Sequence, residues 1–480
     1  MMIMLHLSHH HLKLSMNRLE KLNSLQQEFL MIWKDNHYKG TMLVATGFGK
    51  SFLSLKAILL LLEDGKINKG DTVWILAETT ARKHTYWTDE LPKFKEITGS
   101  DILSLVDFQF HCYQSKPKGT PKFIIYDEVE ECISDKYQEV LKIDCYKLGL
   151  SATVPEVLSV YRNRIPEGLM NKIKQADKFT RDKIITDFIN KGQLLEIYCP
   201  IIVEYDIDQG IADNILSPYE TWVIDHRLDN TNKYLPLFKK TPRLVTELEY
   251  YNVRTTMIKN PKYPVILKKA MSKQLVSLLY DLRSKKAVSR QLLDTVREST
   301  TRGMVCSVQL DPIRSLVDEI AEDTIKYYVT PNGGNRELIT DTDEVKRILC
   351  SNKRLLKTGD YLGGSLEVVK RSVEDILVDP PQILGTSKKL KRGVTIPNLH
   401  HLLMFSYYTS YHHLMQYIGR IVRYEEGKVG KVFIFRTMNT YEENWFDKMN
   451  KIYDKNLNQI DEIDLRIKGY ISSSNFKSNG

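Results

Sequence analysis

The segment Val44-Ala45-Thr46-Gly47-Phe48-Gly49-Lys50-Ser51 carries the residue types needed to hold a polyphosphate. Gly47 and Gly49 let the backbone turn its N–H groups toward phosphate oxygens, Lys50 supplies a cation for the outer phosphates, and Ser51 offers a hydroxyl to Mg2+. The general Gly-x-x-x-x-Gly-Lys-Ser pattern has glycine where this chain has Val44, so the match runs from Thr46 through Phe48 to Ser51. Further on, Asp127 and Glu128 follow four apolar residues, Phe123-Ile124-Ile125-Tyr126, and would emerge together at the carboxyl end of a strand. Asp127 can hold Mg2+ through water, and Glu128 can orient and deprotonate an attacking water, the second requirement of phosphoanhydride hydrolysis. Alone, this pair is equally a solvated acidic turn, since Glu130 and Glu131 follow; the glycine loop favours the paired site.

A second set of candidates lies near the other end. In Gln416-Tyr417-Ile418-Gly419-Arg420-Ile421-Val422-Arg423, Arg420 and Arg423 are three apart on a predicted helix, share a face, and could direct two guanidinium groups at a γ-phosphate. An arginine pair of this kind is also found on salt-bridged surfaces; Gln416 and Gly419 at the matching spacing favour the phosphate reading. Such a helix contributes only if the chain folds back on the triphosphate. Lys388, Lys389, Lys391 and Arg392 form a dense basic cluster beside Thr386. With Thr80, Arg82, Tyr113 and Gln114 they would line a groove for the phosphates of a single strand, with salt-sensitive binding. The bland alternative is a solvated turn; the cluster's place between candidate motifs, rather than on a tail, favours the groove.

The elements that must position these residues alternate. After a helix from Leu19 come a strand (Thr41 to Ala45), the glycine loop, a helix (Ser51 to Leu62), a strand (Thr72 to Ala77), a helix (Ala81 to Leu91) and the strand ending at Tyr126. Alternation of this kind predicts a parallel sheet covered by helices, with ligands at the carboxyl ends of its strands. We place a first lobe at 1–200, with 1–16 as candidate accessory strands. A connecting and helical insert region at 201–300 contains the extended stretches Ile201 to Tyr205 and Thr221 to Ile224. A second alternating pattern, beginning at Met304 and closing at Phe435, marks a second lobe at 301–455. Residues 456–480 are read as a C-terminal helix and a frayed, serine-rich tail.

Bulk properties agree with two or three folded domains. The chain has 480 residues, 42% hydrophobic and 27% charged, enough apolar surface for real cores. A net charge of +9 favours a polyanionic partner. Six cysteines (Cys112, Cys132, Cys145, Cys199, Cys306, Cys350) without Cys-x-x-Cys spacing read as buried thiols in a reducing, cytoplasmic setting. No apolar run reaches bilayer length, so no membrane partner is expected. His9-His10-His11 reads as a polar turn, because adjacent strand positions face opposite ways and do not converge on one ion.

Taken in order, the motifs resemble those of superfamily 2 helicases over roughly residues 20–440. Gln26 in Leu25-Gln26-Gln27-Glu28 resembles the adenine-reading glutamine upstream of the glycine loop, and Gly47 to Ser51 resembles motif I. The run from Trp74 to Trp87, with Glu78-Thr79-Thr80-Ala81-Arg82, resembles motif Ia, and Cys112-Tyr113-Gln114-Ser115 is similar to a Thr-Tyr-Gln-Ser strand end that follows it. Asp127-Glu128-Val129-Glu130 stands at motif II, Ser151-Ala152-Thr153 at the coupling motif III, Thr386 to Gly393 at motif V and Gln416 to Arg423 at motif VI. Glu130 replaces the family's His or Asp that links the ATP site to motif III, so coupling is expected to run through a different contact; Thr395 replaces a common Asp and Tyr417 a common Arg. The string Gly393-Val394-Thr395-Ile396-Pro397-Asn398-Leu399-His400-His401, followed by Gln416 to Arg423, looks most like the UvsW-type branch-migration helicases of tailed phages.

This resemblance implies two tandem RecA-like parallel-sheet lobes with a helical insert, and ATP with Mg2+ as cofactors. It also implies a monomeric motor that remodels forked, branched or single-stranded DNA in the host cytoplasm. Gly393, Arg420 and Arg423 would join the ATP site. RNA unwinding, double-strand translocation as in restriction systems, and a non-translocating ATP-gated clamp are the alternatives.

Overall fold

The computed structural model describes residues 17–77, 86–115, 117–134, 136–152, 176–177, 179–181, 183–184, 194–238, 243–297, 299–308, 327–329, 337–339, 383–386, 396–406, 411–453 and 457–461. The chain forms two compact units, one of residues 1–217 with 422–426, the other of 218–421 with 427–480.

In the first unit, α1 (Arg18–Asp35) starts at a reciprocal cap. The Asn17 side chain accepts the Glu20 N–H and the Glu20 carboxylate accepts the Asn17 N–H, both at 3.0 Å. Next come β1 (Lys39–Val44), α2 (Lys50–Glu63), β2 (Thr72–Ala77), α3 (Leu91–Thr98), α4 (Ile102–Leu105), β3 (Asp107–Cys112), β4 (Phe123–Asp127), β5 (Tyr146–Ser151), β6 (Ile201–Tyr205) and α5 (Ile207–Ala212). The six strands make one parallel sheet in the order β3-β2-β4-β5-β1-β6. Every residue of β4 is buried, as expected for a central parallel strand covered on both faces. Trp33 of α1, fully buried, donates its indole N–H to the Lys147 carbonyl at 2.8 Å and so fastens α1 to β5.

The second unit begins with β7 (Tyr219–His226) and a small antiparallel pair, β8 (Leu235–Pro236) with β9 (Leu244–Val245). Three helices follow, α6 (Glu247–Lys259), α7 (Val265–Leu279) and α8 (Arg283–Arg297). They precede β10 (Arg302–Cys306), the pair β11 (Tyr327–Val329) and β12 (Glu337–Ile339), β13 (Ile383–Thr386), β14 (Leu399–Met404), α9 (Tyr411–Ile421), β15 (Gly430–Thr437), α10 (Tyr441–Tyr453) and β16 (Leu457–Asp461). The second sheet is also six-stranded and parallel, in the order β13-β10-β14-β15-β7-β16. Val288, Leu292 and Leu293 of α8 pack on Ile224, Val305, Leu403 and Phe433. A buried ion pair, Lys285 with Glu442 at 2.9 Å, ties α8 to α10.

Two sequence expectations change here. The extended stretches assigned to the connection are sheet strands: β6 lines up beside β1, and β7 sits between β15 and β16. Residues 457–461, read as part of a C-terminal helix, instead form β16. Backbone pairing with β7 overrides a local sequence with weak preference of its own. The accessory strands at 1–16, His9 to His11 and the tail from 462 lie outside the described residues.

Candidate active site

Six parallel strands end on one edge of the first sheet, and three of those ends carry the candidate residues. The loop Ala45 to Gly49 leaves β1, Ser151 closes β5, and Asp127 with Glu128 leave β4. Because β5 separates β1 from β4, the glycine loop and the acidic pair are about 10 Å apart laterally, the width of two strand spacings and room for a phosphate chain.

The loop is shaped by its glycines. Gly47 (φ 96°) and Gly49 (φ 85°) occupy the left-handed region, where side chains are strained. A Cβ on Gly47 would also lie 2.9 Å from Leu216 Cδ2. Gly49 is the cap of α2, so Lys50 and Ser51 open the first turn, where the N–H groups and the positive end of the helix dipole point toward the loop. Lys50 is half-buried and Ser51 buried. Phe48 turns inward: its ring is fully buried, stacked on Phe29 at 5.3 Å and tilted against Tyr205 at 5.0 Å. It anchors the loop through apolar packing, and only its backbone can serve phosphate.

Gln26 is buried behind this loop. Its carboxamide donates to the Phe48 carbonyl at 3.1 Å and accepts the Lys56 ammonium at 2.8 Å. Here the glutamine expected to read adenine braces the loop backbone. Lys56 was not singled out by sequence; burial lowers its pKa, and its position two turns into α2, facing Asn23 and Gln26 of α1, was the available signal.

On the acidic side, Asp127 is buried at the end of β4, and Glu128 takes φ 60°, ψ 66°, a left-handed conformation rare for a glutamate. That turn aims Glu128 away from the strand direction, and Ser151 Oγ donates to Glu128 Oε2 at 3.4 Å. The contact joins the candidate water-activating carboxylate to the first residue of the Ser151-Ala152-Thr153 motif; Thr153 lies outside the described residues. Tyr113 stands behind the turn. Its hydroxyl donates to the Asp127 carbonyl at 2.9 Å, and burial pushes the phenol well above its ordinary pKa, so it stays a donor. This corrects the expectation that Tyr113 lines a nucleic-acid groove, since its ring is buried. Gln114, next in sequence, is exposed.

In the far motif, α9 ends at Ile421, so Arg420 and Arg423 are not neighbours on one helix as their spacing suggests. Just past the helix end, Ser217 N–H donates to the Val422 carbonyl at 2.8 Å, a long-range bond outside the helical pattern. Residues 422–426 thereby belong to the first unit, where Arg423 Cγ lies 3.7 Å from the place a Gly47 Cβ would take. In the same unit the Arg18 guanidinium sits 4.2 Å over the Tyr424 ring, a pair with no sequence signal beyond the aromatic following Arg423. Gln416 and Arg420 share one face of α9 in the second unit, both buried, and Tyr417 packs in the core. Thr386 ends β13. Thr80, Arg82, Lys388, Lys389, Lys391, Arg392 and Gly393 lie outside the described residues.

Two parallel α/β units in sequence, the first with a glycine loop after its β1 and an acidic pair after its β4, define a tandem RecA-like fold. No protein-family model and no curated protein sequence matches the chain. It is similar to the solved structure of the ATP-dependent Type ISP restriction-modification enzyme LlaBIII bound to DNA, at TM-score 0.50 and 13% identity, covering 94% of this chain and 32% of that one. It is also similar to Dbp5 of S. cerevisiae bound to RNA and ADP BeF3, at TM-score 0.47 and 10% identity, covering 90% and 88%. At these identities the likeness is one of fold.

Proposed function

We propose that this chain is an ATP-dependent helicase or translocase that remodels forked or branched DNA. The observation that carries the hydrolytic part is the line of strand ends in the first sheet: glycine loop on β1, Ser151 on β5, and Glu128 bonded to Ser151 on β4. Lys50 and the first turn of α2 would bind the β- and γ-phosphates, and Glu128 would take a proton from the attacking water. The buried hydroxyl of Ser51 and the carboxylate of Asp127 are hard oxygen donors and fit Mg2+ held partly through water. When bound, that ion neutralises charge on the phosphates.

Arg423, already beside Gly47, and Arg420 of the second unit are the candidates for contacts to the γ-phosphate. ATP would bridge the units through them, and hydrolysis would release the bridge, so that repeated closing and opening moves a bound strand. The DNA-fork assignment, including branch migration and a role in recombination or repair, rests on the resemblance of the Gly393-to-His401 and Gln416-to-Arg423 strings to UvsW-type helicases. The cysteines of the described residues are free thiols, which suits a reducing cytoplasm.

The test is ATP hydrolysis measured with single-stranded, double-stranded, forked and four-way DNA and with matching RNAs, paired with a strand-displacement assay. Forked and four-way DNA should stimulate most and be unwound. Greatest stimulation by RNA would overturn the DNA assignment, and nucleotide-gated binding without displacement would overturn the motor.

A further inference from the structure

The helical hairpin α6–α7 of the second unit is basic beyond the first turn of α6, where Glu247 and Glu249 lie. Residues 250–280 contain Arg254, Lys259, Lys262, Lys268, Lys269 and Lys273 and no aspartate or glutamate. Lys259, Lys262, Lys269 and Lys273 are exposed and Lys268 is half-exposed. None of these five ammonium groups is paired with a carboxylate among the described residues. Other lysines of the same molecule do find partners, as Lys34 does with Asp64 and Lys286 with Asp281.

An apolar group is set within this basic field. Val265, Ile266 and Leu267, the first turn of α7, are 67%, 84% and 42% exposed. Their exposure is not a loose end of the fold. The other end of the hairpin is rooted in a core where Tyr251 of α6 and Leu275 and Leu279 of α7 pack with Leu228 and Leu282. Met271, Leu275 and Leu279 recur every four residues and use up the buried face of α7, leaving the first turn beyond the core. Pro261 and Pro264 fix the turn that presents it. The result is a stiff projection with an aliphatic tip and lysines on its flanks.

We propose that this tip is a nucleic-acid contact that presses on the base pair at a duplex junction, a substrate assignment that rests on the helicase reading above. Lys268, Lys269 and Lys273 lie within about 8 Å along α7, at 1.5 Å per residue, and can follow one phosphate backbone. Ile, Leu and other aliphatic side chains are the residue types that wedge against exposed base steps, where charge alone would only hold the strand. Charge complementarity selects the polyanion, and the small size of the apolar group suits a base-pair face better than the broad apolar stripe of a helix lying in a membrane surface.

The experiment uses the full chain and two variants, K262E/K268E/K269E and V265S/I266S, each checked for an unchanged melting temperature. Binding to forked DNA is measured from 50 to 200 mM salt, together with strand displacement and DNA-stimulated ATP hydrolysis. The charge variant should bind the fork at least about 10-fold more weakly and lower the salt slope by about 2 to 3, one for each phosphate no longer neutralised. The apolar variant should keep its salt slope and its stimulated ATP hydrolysis but displace strands at least 5-fold more slowly. Wild-type affinity and displacement in both variants would overturn this proposal while leaving the helicase reading intact. A wild-type chain that binds no nucleic acid would overturn both. Equal DNA binding by all three proteins, with wild-type binding to phosphatidylserine vesicles abolished in both variants, would show a membrane contact and refute the junction role.

Discussion

Glu128 is held in its left-handed turn by neighbours whose roles separate cleanly: Tyr113 fixes the backbone through the Asp127 carbonyl, and Ser151 fixes the carboxylate. A glutamate at positive φ costs of order 1–2 kcal/mol, so the surrounding structure must select that conformation. Tyr113→Phe removes one buried hydrogen bond and should lower stability by about 1 kcal/mol, read from denaturant midpoints. Ser151→Ala should leave the KM for ATP nearly unchanged and lower kcat about 10-fold, because it removes one bond that positions the carboxylate without touching the glycine loop; an unchanged kcat would deny Ser151 a positioning role. The positions of Lys50 and Ser51 at the start of α2 and of Asp127 and Glu128 at the end of β4 were legible in the sequence, because the glycine loop and the apolar run before each pair fix where it emerges. Tyr113 was misplaced because an aromatic at a strand end can turn to either face, and only packing decides which.

At the scale of elements, β1, β2, β4, β10 and β15 were readable as apolar runs, since parallel strands buried on both faces need nothing else. Local patterns failed where distant contacts set the outcome. Past the end of α9 the chain bonds to Ser217, and β6, β7 and β16 are placed in their sheets by the strands they pair with. On β14, burial, helped by the nearby Lys431 charge, pushes the His401 imidazole down from 6.5 to about 4. A lowered value means that the unfolded chain takes up the proton first as pH falls. The neutral ring's contribution is therefore complete above pH 6.5 and disappears between 6.5 and about 4, by at most about 3 kcal/mol. Melting temperature should fall across that window, and His401→Gln should flatten the fall; an equally steep profile in the variant would exclude His401 as its source.

At the scale of the molecule, the two parallel sheets explain why the glycine loop and the arginine-bearing segment lie so far apart in sequence. Each is completed by its own sheet, yet residues 422–426 leave the second unit's helix and join the first unit beside Gly47. Arg420 and Arg423, three positions apart, thus belong to different units, and the proposed function couples both to ATP hydrolysis. Steady-state ATP hydrolysis with forked DNA tests that coupling in the wild-type chain, Glu128→Gln and Arg420→Ala. DNA-stimulated turnover is expected in the wild type and a drop of at least about 100-fold in each variant, with nucleotide-free DNA binding retained. Wild-type turnover in Arg420→Ala would contradict the coupling.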